Sequence, residues 1–114
     1  YVGEKGLIRV IGATETGPQA YNPGGEMALW QSEDYGQTWT RVRQLTGGSA
    51  MNHTYARRPL GAQEGFLSFW ADGHGREPSE SRLYFYDAQA SEVRQLPFEM
   101  VNERGKPVVI AFPR

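Results

Sequence analysis

Two short stretches carry side chains able to do chemistry. Asn52-His53-Thr54-Tyr55-Ala56-Arg57-Arg58-Pro59 is polar and cationic, and if it is extended, alternation puts His53, Tyr55 and Arg57 on one face and Arg58 on the other. Histidine and tyrosine are suited to moving a proton, and a guanidinium suits a carboxylate through its two-pronged donation. Asp72-Gly73-His74-Gly75-Arg76 is a glycine-flanked turn after an apolar run, where functional side chains concentrate. The catalytic candidates are therefore His53, Tyr55 and Arg57, and the candidates for substrate binding are Arg58, Asp72 and His74. A plain structural reading stands beside this one: both histidines can be hydrogen-bonded loop residues, because a site is defined by geometry. Asp72 and His74 could each ligate a metal, but two ligands do not make a site, so no metal and no cofactor are expected. The glycine-rich pieces match no phosphate-binding loop.

These residues have to be positioned by strands. The spacing predicts strands over 6–13, 26–31, 38–45, 66–71 and 81–86, each short, apolar or β-branched, and bounded by turn formers. The stretch 53–58 is a further extended candidate, and 92–96 follows a turn at 87–91. Loops at 14–25 and 73–81 separate them, rich in Gly, Pro, Asn and Ser. No sustained apolar pattern has helical period, so no long helix is predicted.

Composition narrows the function classes. At 114 residues, 22% charged and with a formal net charge of −1, the chain suits about one globular domain. So small a charge argues against non-specific binding to nucleic acid or to an acidic membrane surface. No apolar run approaches the roughly 20 residues that cross a bilayer, so no membrane insertion is expected. Cysteine is absent, which removes a disulfide framework and a thiolate zinc site and leaves the redox compartment open. The chain begins at Tyr1 with neither Met nor a signal-peptide pattern, and reads as a fragment.

Between the strands at 26–31 and 38–45 lies Ser32-Glu33-Asp34-Tyr35-Gly36-Gln37-Thr38-Trp39. Ser and Asp side chains can accept hydrogen bonds from nearby backbone N–H groups, Gly36 can take the positive φ of a reversal, and Trp39 can fold back over the loop. The pattern Ser-x-Asp-x-Gly-x-Thr-Trp resembles the Asp-box, or BNR repeat, of sialidases and other β-propellers. The resemblance implies that Ser32, Asp34, Gly36, Thr38 and Trp39 are scaffold, joining two outer strands of a blade on the rim.

The chain also repeats. Val42-Arg43-Gln44-Leu45 recurs as Val93-Arg94-Gln95-Leu96 at an offset of 51, and the glycines that open two of the strands, Gly6 and Gly65, are 59 apart. A period near 50 with several short strands per unit is a propeller-blade signature. The expected fold is all-β: a β-propeller fragment of roughly two blades of antiparallel four-stranded sheet. One unit covers about 1–48 and includes the Asp-box at 32–39; a second covers about 49–100; 101–114 starts the next blade or closes the ring. The stretch 53–58 is the innermost strand of the second unit, and that of the first would lie before Tyr1. A propeller closes with about four to eight blades, so the remainder is expected to be absent or in another chain. Trp30, Phe69, Trp70, Tyr84, Phe85 and Tyr86 are expected mostly in packing between blades, and Glu80 with Arg82 as an ion pair between blades.

His53 to Pro59, Phe69 to Gly75 and Ser79 to Phe85 further resemble the BNR-4-type propeller family, which includes lyases of uronic-acid glycans such as ulvan. The resemblance covers about half of the chain. It implies a polysaccharide lyase of the complete protein that abstracts a proton and β-eliminates, with His and Tyr handling protons and Arg neutralising the uronate carboxylate. The fragment alone is expected to be inactive, and the implied setting is a secreted, extracellular or periplasmic bacterial protein whose partners are a glycan and the other blades. A sialidase-like hydrolase and a non-catalytic glycan-binding or scaffolding propeller remain as alternatives.

Overall fold

The computed structural model describes residues 1–63 and 65–111. Its strands in chain order are β1 (Ile8–Glu15), β2 (Glu26–Ser32), β3 (Thr40–Gln44), β4 (His53–Arg57), β5 (Phe66–Asp72), β6 (Leu83–Asp87), β7 (Glu92–Gln95) and β8 (Val108–Ile110). The chain is all-β, with no helix among the described residues. Two open antiparallel sheets form, ordered β1-β2-β3 and β4-β5-β6-β7-β8.

The first sheet has three strands, in keeping with an innermost strand expected before Tyr1, and the second has five where four were expected. β8 adds to the outer edge of β7, with Val93 opposite Ile110 and Gln95 opposite Val108. The rest of the predicted closing segment, 112–114, lies outside the described residues. β1 begins two residues later than predicted because Lys5 and Gly6, at φ 56° and 85°, still belong to a turn. Thr38 and Trp39 likewise belong to the turn before β3.

The repeated tetrapeptides occupy the same ladder position. Gln44 faces Ala28 and Gln95 faces Tyr84; the next amide donates to the strand behind it, Leu45 N to Met27 O at 2.8 Å and Leu96 N to Leu83 O at 2.9 Å. Sequence recurrence here is backbone recurrence.

The 32–39 turn is closed by its own side chains. Ser32 Oγ accepts from the amides of Asp34 (3.3 Å) and Gly36 (2.8 Å) and donates to Asp34 Oδ1 (2.8 Å). Asp34 also accepts from the Thr38 amide (2.8 Å) and the Thr38 hydroxyl (2.5 Å). Gly36 sits at φ 88°, and Trp39 folds back so that its indole N–H donates to Gly36 O at 2.9 Å. Trp39 stays 41% exposed, so it shields the loop without being buried in it.

The two units meet where Gly25 and His53 exchange backbone hydrogen bonds of 3.0 and 2.7 Å. Gly25 has to be glycine, since a Cβ there would stand 2.1 Å from Glu15 O. Beside this joint, Met27, Leu29, Leu45, Trp70, Tyr84, Tyr86 and Val93 form the buried core, contributed by both sheets. Trp70, 1% exposed, is its largest member. Glu80 and Arg82 pair at 3.7 Å, but as near neighbours in the loop before β6, so the expected link between units is corrected to a local contact.

Candidate functional site

β4 is not regularly extended. Its register against β5 shifts between Thr54 and Arg57, and Tyr55 within that bulge takes a left-handed φ of 59°. A bulge reorients the side chains that follow it. The simple alternation that would align His53, Tyr55 and Arg57 therefore fails: His53 points into the core at 0% exposure, while Tyr55 is 67% exposed and Arg57 is exposed beside it.

His53 sits in a chain of hydrogen bonds. The Trp70 indole N–H donates to His53 Nδ1 at 3.0 Å, and His53 Nε2 lies 3.0 Å from Ser49 Oγ, whose hydroxyl donates to Glu26 Oε1 at 2.7 Å. An indole nitrogen can only donate, so Nδ1 must keep its lone pair and the neutral ring carries its proton on Nε2. That proton points at Ser49. A nucleophilic serine needs the reverse, an imidazole nitrogen free to take its proton, so the Ser49–His53–Glu26 arrangement is a structural network and does not activate Ser49. Burial pushes the His53 pKa below its ordinary value, against the smaller opposing pull of the Asp72 and Glu26 carboxylates. Glu26 is buried and satisfied, accepting also from the Thr46 hydroxyl (2.9 Å) and the Ser49 amide (3.1 Å).

Asp72 is engaged inside the sheet as well. Its Oδ2 accepts from the Tyr84 hydroxyl at 2.8 Å and its Oδ1 from the Arg82 amide at 2.7 Å. Burial, reinforced by the hydrogen bond and charge of Asp72, raises the Tyr84 pKa. The Tyr84 ring in turn packs 4.9 Å from that of His53. His74 has different neighbours: its Nδ1 accepts from the Arg76 amide at 3.1 Å, its Nε2 is 3.8 Å from Glu77, and its ring is 5.8 Å from that of Tyr21. Among the described residues no cluster of three or more His, Cys, Asp or Glu could hold a metal ion.

On the exposed side of β4 the picture changes. Arg57 and Arg58 line a cleft of about 200 Å³ together with Arg9, Leu67 and Ser68. The Arg57 guanidinium carbon lies 5.8 Å from the ring centroid of Tyr55, which does not itself line the cleft. Among the described residues, none of these three arginines has a carboxylate within ion-pairing distance. Arginines that line one concavity without a carboxylate partner can attract an anion.

Of the predicted residues, the structure brings Arg57 and Arg58 to one cleft with Tyr55 beside Arg57, and pairs buried His53 with half-buried Asp72 across β4 and β5, while His74 has neighbours of its own. Sequence reasoning overlooked Glu26, Ser49 and Trp70, which hold His53, and Arg9, which reaches the cleft from the other sheet. The pairing of β1 with β2 is local, but the approach of β1 to β4 is not, and no short motif announces it. The chain matches no family model, no curated protein and no solved structure.

Proposed function

We propose that this chain is part of a carbohydrate-active β-propeller that engages a uronic-acid-containing polysaccharide at the arginine cleft. One observation carries the reading: Arg57 and Arg58 line the same cleft and neither meets a carboxylate among the described residues. A uronate carboxylate supplies the missing charge, and each guanidinium can hold it with charge-assisted hydrogen bonds.

The chemistry that follows is β-elimination by a polysaccharide lyase. Neutralising the carboxylate acidifies the C–H alpha to it; a base takes that proton, the electron pair forms a carbon–carbon double bond, and the bond to the beta oxygen breaks as that oxygen gains a proton. Tyr55 is the proton-transfer group exposed beside Arg57. His53 supports the strand from inside. Such a protein would work where polysaccharide is found, outside the cell or in a periplasm.

The complete burial of His53 favours a second reading, non-catalytic glycan binding, since a buried imidazole has no surface on which to meet a sugar. Incubation with a panel of uronic-acid polysaccharides separates the two. A lyase leaves an unsaturated uronate that absorbs in the ultraviolet, whereas binding without that product supports the second reading; failure to bind any acidic polysaccharide sinks both.

A further inference from the structure

Arg9 belongs to β1 of the three-stranded sheet, yet it lines the cleft with Arg57 and Arg58 of the five-stranded one. Its direction is set from behind. Arg9 Nε donates to Gln31 Oε1 at 3.0 Å, and Gln31 is its direct partner across the β1–β2 ladder. The guanidinium carbons of Arg9 and Arg58 stand 5.6 and 5.4 Å from the centroid of one ring, that of Tyr1, which lines the cleft with them. Both also line an adjoining cavity of about 220 Å³ that runs on to Gln89.

The cleft therefore straddles the joint between the units, which are held by the Gly25–His53 backbone bridge, by bonds from Asn52 to the 19–23 loop and by the shared core. Guanidinium groups brought to one cleft from two sheets repel each other and oppose that joint, and an anion between them reverses the sign. We propose that Arg9, held in place by Gln31, completes an anion site shared by the two sheets, so that an acidic glycan bound there ties the three-stranded sheet to the five-stranded one. This rests on the reading of the ligand as an anionic glycan. It adds a residue, a positioning partner and a mechanical consequence.

The test uses calorimetric titration with hexagalacturonate, with maltohexaose as the neutral control, and hydrogen exchange at the Gly25 and His53 amides. Arg9→Ala, Arg57→Ala and Arg58→Ala are each expected to weaken hexagalacturonate about tenfold, the size of one lost charge-assisted contact. Gln31→Leu is expected to weaken it severalfold with the ligand-free melting temperature unchanged. Hexagalacturonate should slow exchange at the two bridge amides in the native chain and not in Arg9→Ala. Should Arg9→Ala fold poorly, Arg9→Lys keeps the charge but loses the bond to Gln31, and is expected to bind more weakly with native melting. Loss of affinity in Arg57→Ala and Arg58→Ala but in neither Arg9 variant overturns the shared site and leaves the glycan reading standing. Equal slowing of the bridge amides with and without Arg9 overturns the tie between sheets. If the native chain binds hexagalacturonate no better than maltohexaose, the glycan reading fails and this inference with it.

Discussion

Trp70 donates its indole N–H to Nδ1 of His53 across 3.0 Å, and that one bond decides which nitrogen of the buried imidazole carries the proton. A second proton would set two N–H donors face to face in the core, beside the joint between the sheets.

Acid should therefore loosen the molecule at the His53 position. The folded-state pKa lies below the ordinary 6.5, so the unfolded chain binds the proton first as pH falls. Stability from this group is complete above about pH 6.5 and is lost as pH drops through the lower folded value. Melting temperatures followed from pH 7.5 to 5 should fall in the native chain and fall less in His53→Gln; identical profiles would remove His53 as the cause.

Glu26→Ala should be costly. The substitution strands the Thr46 hydroxyl and the Ser49 amide and hydroxyl, at about 1–3 kcal/mol for each donor that finds no other partner. Urea unfolding should show Glu26→Gln destabilised by less than Glu26→Ala, because the amide oxygen still accepts.

The 32–39 turn has its own acid limit. Hydrogen bonds from the Thr38 hydroxyl and amide, and then from Ser32, hold the Asp34 pKa at about 2, below its ordinary 3.8. Its contribution is present above pH 3.8 and disappears as pH falls through about 2. Carboxylate titration by NMR should report that low midpoint, and Thr38→Val should move it up toward 3.8. An unshifted midpoint in Thr38→Val would show that these bonds do not set it.

Trp39→Ala should be milder than a core truncation. A fully buried Trp lost to Ala costs about 3–5 kcal/mol, but Trp39 is 41% exposed, so about 1–2 kcal/mol is expected from the area that it covers. Hexagalacturonate affinity should be unchanged in the folded variant, since the turn contributes nothing to the arginine cleft.

Much of this architecture is legible in the chain because it is local. Strand ends sit at turn residues, the 32–39 side chains close their own loop, and the repeated Val-Arg-Gln-Leu marks β3 and β7, which hold the same ladder position against the strand before them. The faces of β4 are not legible. Alternation aligns His53 with Arg57 only on a regular strand, and the bulge at Tyr55 appears when β4 meets β5. Arg9 is hidden for a related reason: its neighbours in the cleft lie about 50 residues away, and nothing in Leu7-Ile8-Arg9-Val10 says which sheet will approach.

The bulge has a thermodynamic corollary. With Tyr55 left-handed between them, His53 answers to the interior and Arg57 to solvent, sharing five residues of backbone while the Trp70 indole bonds to His53 and the Ala56 carbonyl to Arg57. Perturbations at sites without shared partners tend to sum. A cycle pairing His53→Gln with Arg57→Ala should then close with little coupling energy in either unfolding or glycan binding, so one short strand serves two accounts that can be tuned separately.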